Sequence, residues 1–210
     1  MKTRIVFIAM VCFFVTCFLS SLFPSIISTN PEKIRSVFAS QNLNDAYEEE
    51  PENLDVQTFV AVPEKLNWFS TVINMFEKFS TATVVDCKTF KEYSVKRVGG
   101  YNHADVECLT KQDSQIMKSL YGGVWSWTRR PVWVNIDGVW VAGSINAMPH
   151  SYEYITNNDQ DGHTCIHFYM SRTHGTDRVD EAHQNAVEYA ASHADDLAAY
   201  VRKKQSKEQL

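Results

Sequence analysis

The chain has no histidine before residue 103, no charged residue from Ile5 to Pro31, no basic run before its last turn and no internal repeat. With only 8 glycines and 6 prolines in 210 residues it has neither a collagen-like nor a mucin-like composition. Hydrophobic residues make up 44% and charged residues 21%, which fits a globular protein and excludes a coiled coil or a wholly disordered chain. The net charge of −5 is shared between residues 1–55 (−3) and residues 56–210 (−2). A domain so near neutrality, without a basic patch, is a poor match for a polyphosphate, so no nucleic-acid partner is expected.

The missing charge near the N-terminus is itself a signal. Lys2 and Arg4 precede the apolar run Ile5–Phe23. As a helix this run would span roughly 28 Å, close to the ~30 Å hydrocarbon core. The flanking positive charges predict a cytoplasmic N-terminus and a domain outside the cytosol. Residues 1–29 therefore read as a signal-anchor with a transmembrane helix, giving a single-pass protein of the cell membrane. A cleaved signal peptide would give a secreted protein instead, although no Ala-x-Ala site is present. Residues 30–55, with the acidic run Asn42–Asp55, read as a flexible linker. Residues 56–210 are long enough for a hydrophobic core and form the expected extracytoplasmic domain.

Within that domain the hydrophobic pattern alternates between the two regular periods. Leu66, Phe69, Val72, Ile73, Phe76 and Phe79 predict a helix opened by Pro63. Thr81–Cys87 and Glu92–Val98 predict a hairpin. Thr110 and Asp113 form a capping-box pattern, with Gly122 as the stop. Asp137-Gly138, between Val132–Ile136 and Val139–Ile145, predicts a second hairpin with a type I′ turn. His163–Tyr169 is a further candidate strand. Asp180 caps a final helix with an apolar face running from Ala182 to Val201. The expected fold class is α+β: antiparallel β-hairpins forming a β-rich core, with a helix at each end.

Cys87, Cys108 and Cys165 belong to the domain. Outside the cytosol a Cys87–Cys108 disulfide would contribute roughly 3 kcal/mol by loop entropy. The alternative is three reduced, buried thiols. Cys165 is the odd one, and it sits among imidazoles.

The segment that carries chemistry is 148–167. His163, Cys165 and His167 alternate, so a strand would place them on one face, opposite Thr164 and Ile166. His150, at the end of the preceding hairpin, would meet the thiol across a sheet edge. A nearby imidazole lowers a thiol's pKa and takes its proton. Backbone amides at Thr164 and Cys165 would form an oxyanion site.

His150-Ser151, followed after a gap by Gly162-His163-Thr164-Cys165-Ile166-His167, resembles the His…Cys signature of L,D-transpeptidase catalytic domains, which are exported, β-rich, peptidoglycan cross-linking enzymes. The resemblance implies an L,D-transpeptidase-like core and a cysteine acyltransferase or peptidase acting on peptidoglycan stem peptides. Cys165 would be the nucleophile and His150 the base, with His163 at the oxyanion site. His167 stands where the family has arginine, Thr164 where it has glycine and Gly162 where it has serine. More broadly, ATVVD, VKRVGGYNHADVE, GGVWSWTRRPVWV, NAMPH, HTCIHF and SRTHGTDRVDEAHQ resemble an exported domain of spore-forming Gram-positive bacteria, over about residues 58–190. That likeness implies a cell-wall location and names no activity. Ser151, Thr164, Trp125, Trp127, Arg129 and Arg130 are the expected contacts to a wall peptide.

Two other readings stay open. His150, His163, Cys165 and His167 suit zinc or copper, which would make the domain a metal-site protein or metallohydrolase. His174 or His103 would complete such a site, with Asp105 and Glu107 as ligands or supports if 102–107 is not simply a polar loop. The acyl-transfer reading needs no cofactor and excludes Cys165 from metal binding in the same state. Third, Trp125, Trp127, Arg129 and Arg130 would serve a non-catalytic cell-wall-binding module. Arg172, Asp177, Arg178 and Asp180 read as a hydrogen-bonded loop, and His183 and His193 as ordinary helix residues.

Overall fold

A computed structural model describes residues 61–209. The expected apolar anchor and acidic linker lie outside the described residues. Among the described residues no helix is long and apolar enough to cross a membrane.

Six strands close into an antiparallel barrel: β1 (Thr81–Asp86), β2 (Glu92–Gly99), β3 (Ala104–Cys108), β4 (Arg130–Ile136), β5 (Val139–Ile145) and β6 (Thr164–His167). They are ordered β1-β2-β3-β6-β5-β4. The domain is therefore α+β and β-rich. Both predicted hairpins form. Asp137 and Gly138 take φ of 49° and 91°, the left-handed pair that a type I′ turn requires. Strand alternation sorts side chains by side. Val84, Val95, Val106, Val134, Val141 and Ile166 fill the interior and are fully buried.

The N-terminal segment packs into that interior, but not as the long helix its periodicity predicts. Glu64 makes a parallel bridge to Val141, so the chain is extended there. Helical structure starts only at a π-turn, Trp68–Val72, continued by α1 (Ile73–Met75). The Asn67 side chain accepts the amides of Phe69 and Ser70 and starts the turn. Arg97 ends it by donating to the carbonyls of Ile73 and Phe76, which a short helix leaves unpaired. Trp68, Val72 and Phe76 are fully buried in the barrel core, and Trp68 stacks on Phe168 at 5.9 Å.

α2 (Lys111–Ser119) begins with the predicted capping box: Thr110 accepts from the Asp113 amide, and Asp113 accepts from the Thr110 amide. The predicted final helix is two helices, α3 (Glu181–Ser192) and α4 (Ala194–Glu208). His193, at φ −107° and ψ 48°, breaks it and turns Nδ1 back to the Tyr189 carbonyl, 2.7 Å away. These helices cover the outside of the barrel. Trp133, Val85 and Ala142 of the sheet meet Val187, Ala190 and Leu197 there.

The expected Cys87–Cys108 bridge does not form. Cys87, Cys108 and Cys165 are all free, buried thiols. Cys108 faces the barrel interior, whereas Cys87 belongs to the outer layer with Trp133, so the wall of the barrel separates them. Burial pushes the Cys108 thiol up to about 12. Segment 102–107 is not simply a polar loop, because Ala104–Cys108 is a strand with Val106 inside and Asp105 outside.

Candidate functional site

Strand β6 joins β3 and β5 and sets up the site. Cys165 pairs with Asp105 across the β3–β6 ladder, and His167 pairs with Ser144 across β5–β6. Since Ile166 points into the barrel, these four side chains stand on its outer face. His163, just before β6, exchanges two backbone hydrogen bonds with His150, of 2.9 and 3.0 Å. This brings the His150 Nε2 to 3.5 Å from the Cys165 sulfur, the sheet-edge meeting that the sequence predicts.

Two glycines make the approach possible. Gly162 has φ 107°, and a Cβ there would stand 2.7 Å from the His150 carbonyl oxygen. Gly100 has φ 89°, and a Cβ would collide with the carbonyl of His103. The first brings His150 against His163, and the second turns the chain so that His103 precedes β3.

His103 and His174 complete the cluster. Their Nε2 atoms are 2.9 Å apart. The Asp105 Oδ1 lies 3.1 Å from His174 Nε2, 3.3 Å from His103 Nε2 and 3.7 Å from His163 Nε2. The ligand atoms of His103, Asp105, Cys165 and His174 all lie within 4.8 Å of one another, as do those of His150, His163 and His174.

The anchoring of the rings fixes their tautomers. His103 Nδ1 donates to the Arg172 carbonyl at 2.6 Å, His150 Nδ1 to Met148 at 2.8 Å and His163 Nδ1 to Tyr152 at 3.2 Å. A carbonyl oxygen only accepts, so each Nδ1 carries hydrogen and each neutral ring turns an Nε2 lone pair to the cluster. The His163 Nε2 is buried and has no hydrogen-bond partner among the described residues. The Nε2 lone pairs of neutral His103, His150 and His163 thus converge with a carboxylate oxygen, and His174 Nε2 supplies the proton shared with His103 Nε2 and Asp105 until a cation displaces it. Backbone-anchored imidazoles of this kind are typical of metal-bound histidines. For a tetrahedral zinc with bonds of 2.0–2.1 Å to nitrogen, neighbouring ligand atoms sit roughly 3.4 Å apart, close to the separations found here.

Burial pushes the Asp105 carboxyl up, but the His103 hydrogen bond and the neighbouring imidazoles outweigh it and hold the group below its usual value. Burial holds His150 and His174 below the ordinary imidazole value. Burial, then the Asp105 charge, raises the Cys165 thiol. Cys165 is only 3% exposed. In this setting the thiol stays protonated unless a cation comes beside it.

His167 and His183 flank the cluster and line the same cavity. His167 stacks between His183 (centroids 3.7 Å apart) and His103 (4.3 Å). His183 is held by Ser144 Oγ at 2.8 Å. Burial holds both rings well below the usual imidazole pKa. His167 lies outside both sets of converging ligand atoms, and its buried Nδ1 has no hydrogen-bond partner among the described residues.

Of the expected peptide contacts, Trp127 and Arg129 line a cavity of about 220 Å³ over the cluster, together with Asn146 and Thr173. The Trp127 ring lies 5.0 Å from that of His150, and Arg129 pairs with Asp180 at 2.9 Å. Trp125 instead packs on the barrel core, and Arg130 binds Asp86. Thr164 is buried on the inner side of β6, and Ser151 is exposed at φ 63°. Glu107 accepts the amides of Tyr154 and Ile155, which steadies the loop whose Tyr152 carbonyl holds His163. His193 lies on the helix break, away from the cavity.

The sequence places His150, His163 and Cys165 together. It names His103, His174 and Asp105 only as accessories, although Asp105 sits at the centre. The alternation Ala104, Val106, Cys108 around Asp105 and Glu107 was the available signal. No family model, curated protein or solved structure matches the chain.

Proposed function

We propose that the domain is a metal-dependent hydrolase, working outside the cytosol on amide bonds of cell-wall peptides. One observation carries the reading: backbone-anchored imidazole lone pairs converge on Asp105 and Cys165, with His163 Nε2 buried and unpartnered. His103, Asp105, Cys165 and His174 offer the nitrogen, oxygen and sulfur donors that suit zinc, and an ion that takes three of them keeps the fourth position for water. A zinc-class ion supplies a Lewis acid that polarises a carbonyl and acidifies water. The protein's own residues do the rest. His150 Nε2 faces the Cys165 sulfur from 3.5 Å. Trp127 and Arg129 wall the cavity where a peptide backbone would lie. The wall substrate and the single-pass, extracytoplasmic location rest on the family resemblance and on the apolar run 5–23.

The test is hydrolysis of peptidoglycan fragments by the full chain. A chelator abolishes turnover and zinc restores it. Turnover indifferent to both would overturn the reading.

The 3.5 Å contact between Cys165 and His150 supports a second reading, L,D-transpeptidase-like acyl transfer through a Cys165 thioester. Burial and the raised thiol weigh against it. Alkylation separates the two: a nucleophile reacts rapidly near neutral pH without metal, whereas a buried sulfur that is protonated or metal-held does not.

A further inference from the structure

The donor count exceeds what one tetrahedral ion takes. His103, His150, His163 and His174 each present Nε2, and Asp105 and Cys165 stand among them. An imidazole Nε2 has one lone pair, so His174 serves one ion only. If the ion sits with His103, Asp105, Cys165 and His174, the lone pairs of His150 and His163 still face the same space, and that of His163 is buried and unpartnered. The buried, unpartnered His163 Nε2 beside a carboxylate is costly unless a positive charge lies between them, and the half-buried His150 Nε2 faces the same space with only the Cys165 thiol as partner.

Asp105 and Cys165 are placed to serve both halves. They are cross-strand partners in the middle of the cluster. The Asp105 Oδ1 is 3.1 Å from His174, 3.3 Å from His103 and 3.7 Å from His163. The Cys165 sulfur shares the compact set of His103 and His174 and lies 3.5 Å from His150. Carboxylates and thiolates both have lone pairs enough to bridge two ions, which imidazoles do not.

Building on the metal reading above, we propose that the cluster holds two divalent zinc-class ions. One is held by His103 and His174, the other by His150 and His163, and Asp105 and Cys165 bridge them. Two-metal hydrolytic sites have ions about 3.5–4 Å apart, and since each ion here would have four protein donors it would take a substrate oxygen by expanding to five-coordinate. With one carboxylate and one thiolate, two divalent ions leave positive charge facing the cavity. That charge draws an anionic group, such as a peptide carboxylate, towards Arg129.

The experiment is metal stoichiometry of the full chain, purified in detergent, loaded with zinc alone, desalted and read by native mass spectrometry with elemental analysis. The expected result is two zinc ions per chain, falling to one in the His150→Ala/His163→Ala double variant with an unchanged circular-dichroism spectrum. One ion per wild-type chain overturns the two-ion proposal and leaves the hydrolase reading standing. No ion overturns both. Two ions, or none, in the folded double variant overturns the division of ligands.

Discussion

Of the three carboxylates buried in the wall of this barrel, Glu107 takes backbone amides, while Asp86 and Asp105 meet positive charge in different ways. Asp86 is fully buried and holds Arg130 through two hydrogen bonds, of 2.8 and 2.9 Å, while Thr89 donates its amide and hydroxyl. Its countercharge is permanent. Asp105 faces the imidazoles of His103, His163 and His174, and no lysine or arginine among the described residues pairs with it. The first arrangement makes a brace. On the metal reading, the second makes a socket whose countercharge is a bound cation.

The comparison breaks most visibly at the brace. Arg130→Ala leaves the Asp86 charge buried without its partner, and unfolding should become easier by about 3–5 kcal/mol. Chemical denaturation checks this, and zinc content per folded chain should not change. If Asp86 and Asp105 were equivalent, removing the charge at the socket would cost as much. Asp105→Asn should instead leave the metal-free fold close to wild type and weaken zinc binding by at least about 100-fold, as calorimetric titration would measure.

Acid sharpens the same contrast. His183 packs on His167 and faces Ser144, Arg129 and Asp180. Its pKa lies below the ordinary 6.5 because of burial, then Arg129, with Asp180 opposing. The unfolded chain therefore takes up a proton that the folded chain refuses. The fold loses stability as pH drops below 6.5, by roughly 1.4 kcal/mol per pH unit for this group until its folded pKa is reached. Thermal melting of metal-free protein from pH 7 to 4 measures the slope, and His183→Gln should flatten it. The smallest effect lies far from either carboxylate. Thr110→Ala removes the α2 cap, costs about 1 kcal/mol and leaves zinc binding untouched in the same melting and titration assays.

Local chemistry in the sequence foretells much of this fold. Asp137-Gly138 needs only its own turn, and Thr110 with Asp113 only its own helix, so both are readable from a few residues. Alternation places Cys165 and His167 on one side of β6. The pattern 66–79 misleads, because apolar spacing fits a helix although Glu64 is taken up by pairing with β5. The break at His193 depends on a side chain folding back onto its own helix, which hydrophobic spacing does not encode.

The site is half legible for a similar reason. His150, His163 and Cys165 are close in sequence and meet through one bridge. His103 and Asp105 reach the cluster because β3 pairs with β6, a contact between residues some sixty positions apart. His174 arrives on a loop held by the bridge between Arg172 and Val179. No short-range pattern reports such pairings. The same barrier explains the disulfide: Cys87 and Cys108 are near in sequence, but the hairpin sends one outside the barrel and the other inside.

Cobalt titration of the metal-free full chain tests the central claim most directly, because a sulfur bound to cobalt announces itself by a charge-transfer absorption band. The account predicts a saturable band for the wild-type chain that Cys165→Ser abolishes and that zinc displaces. No band at saturating cobalt, with Cys165 freely alkylated at neutral pH, would contradict it.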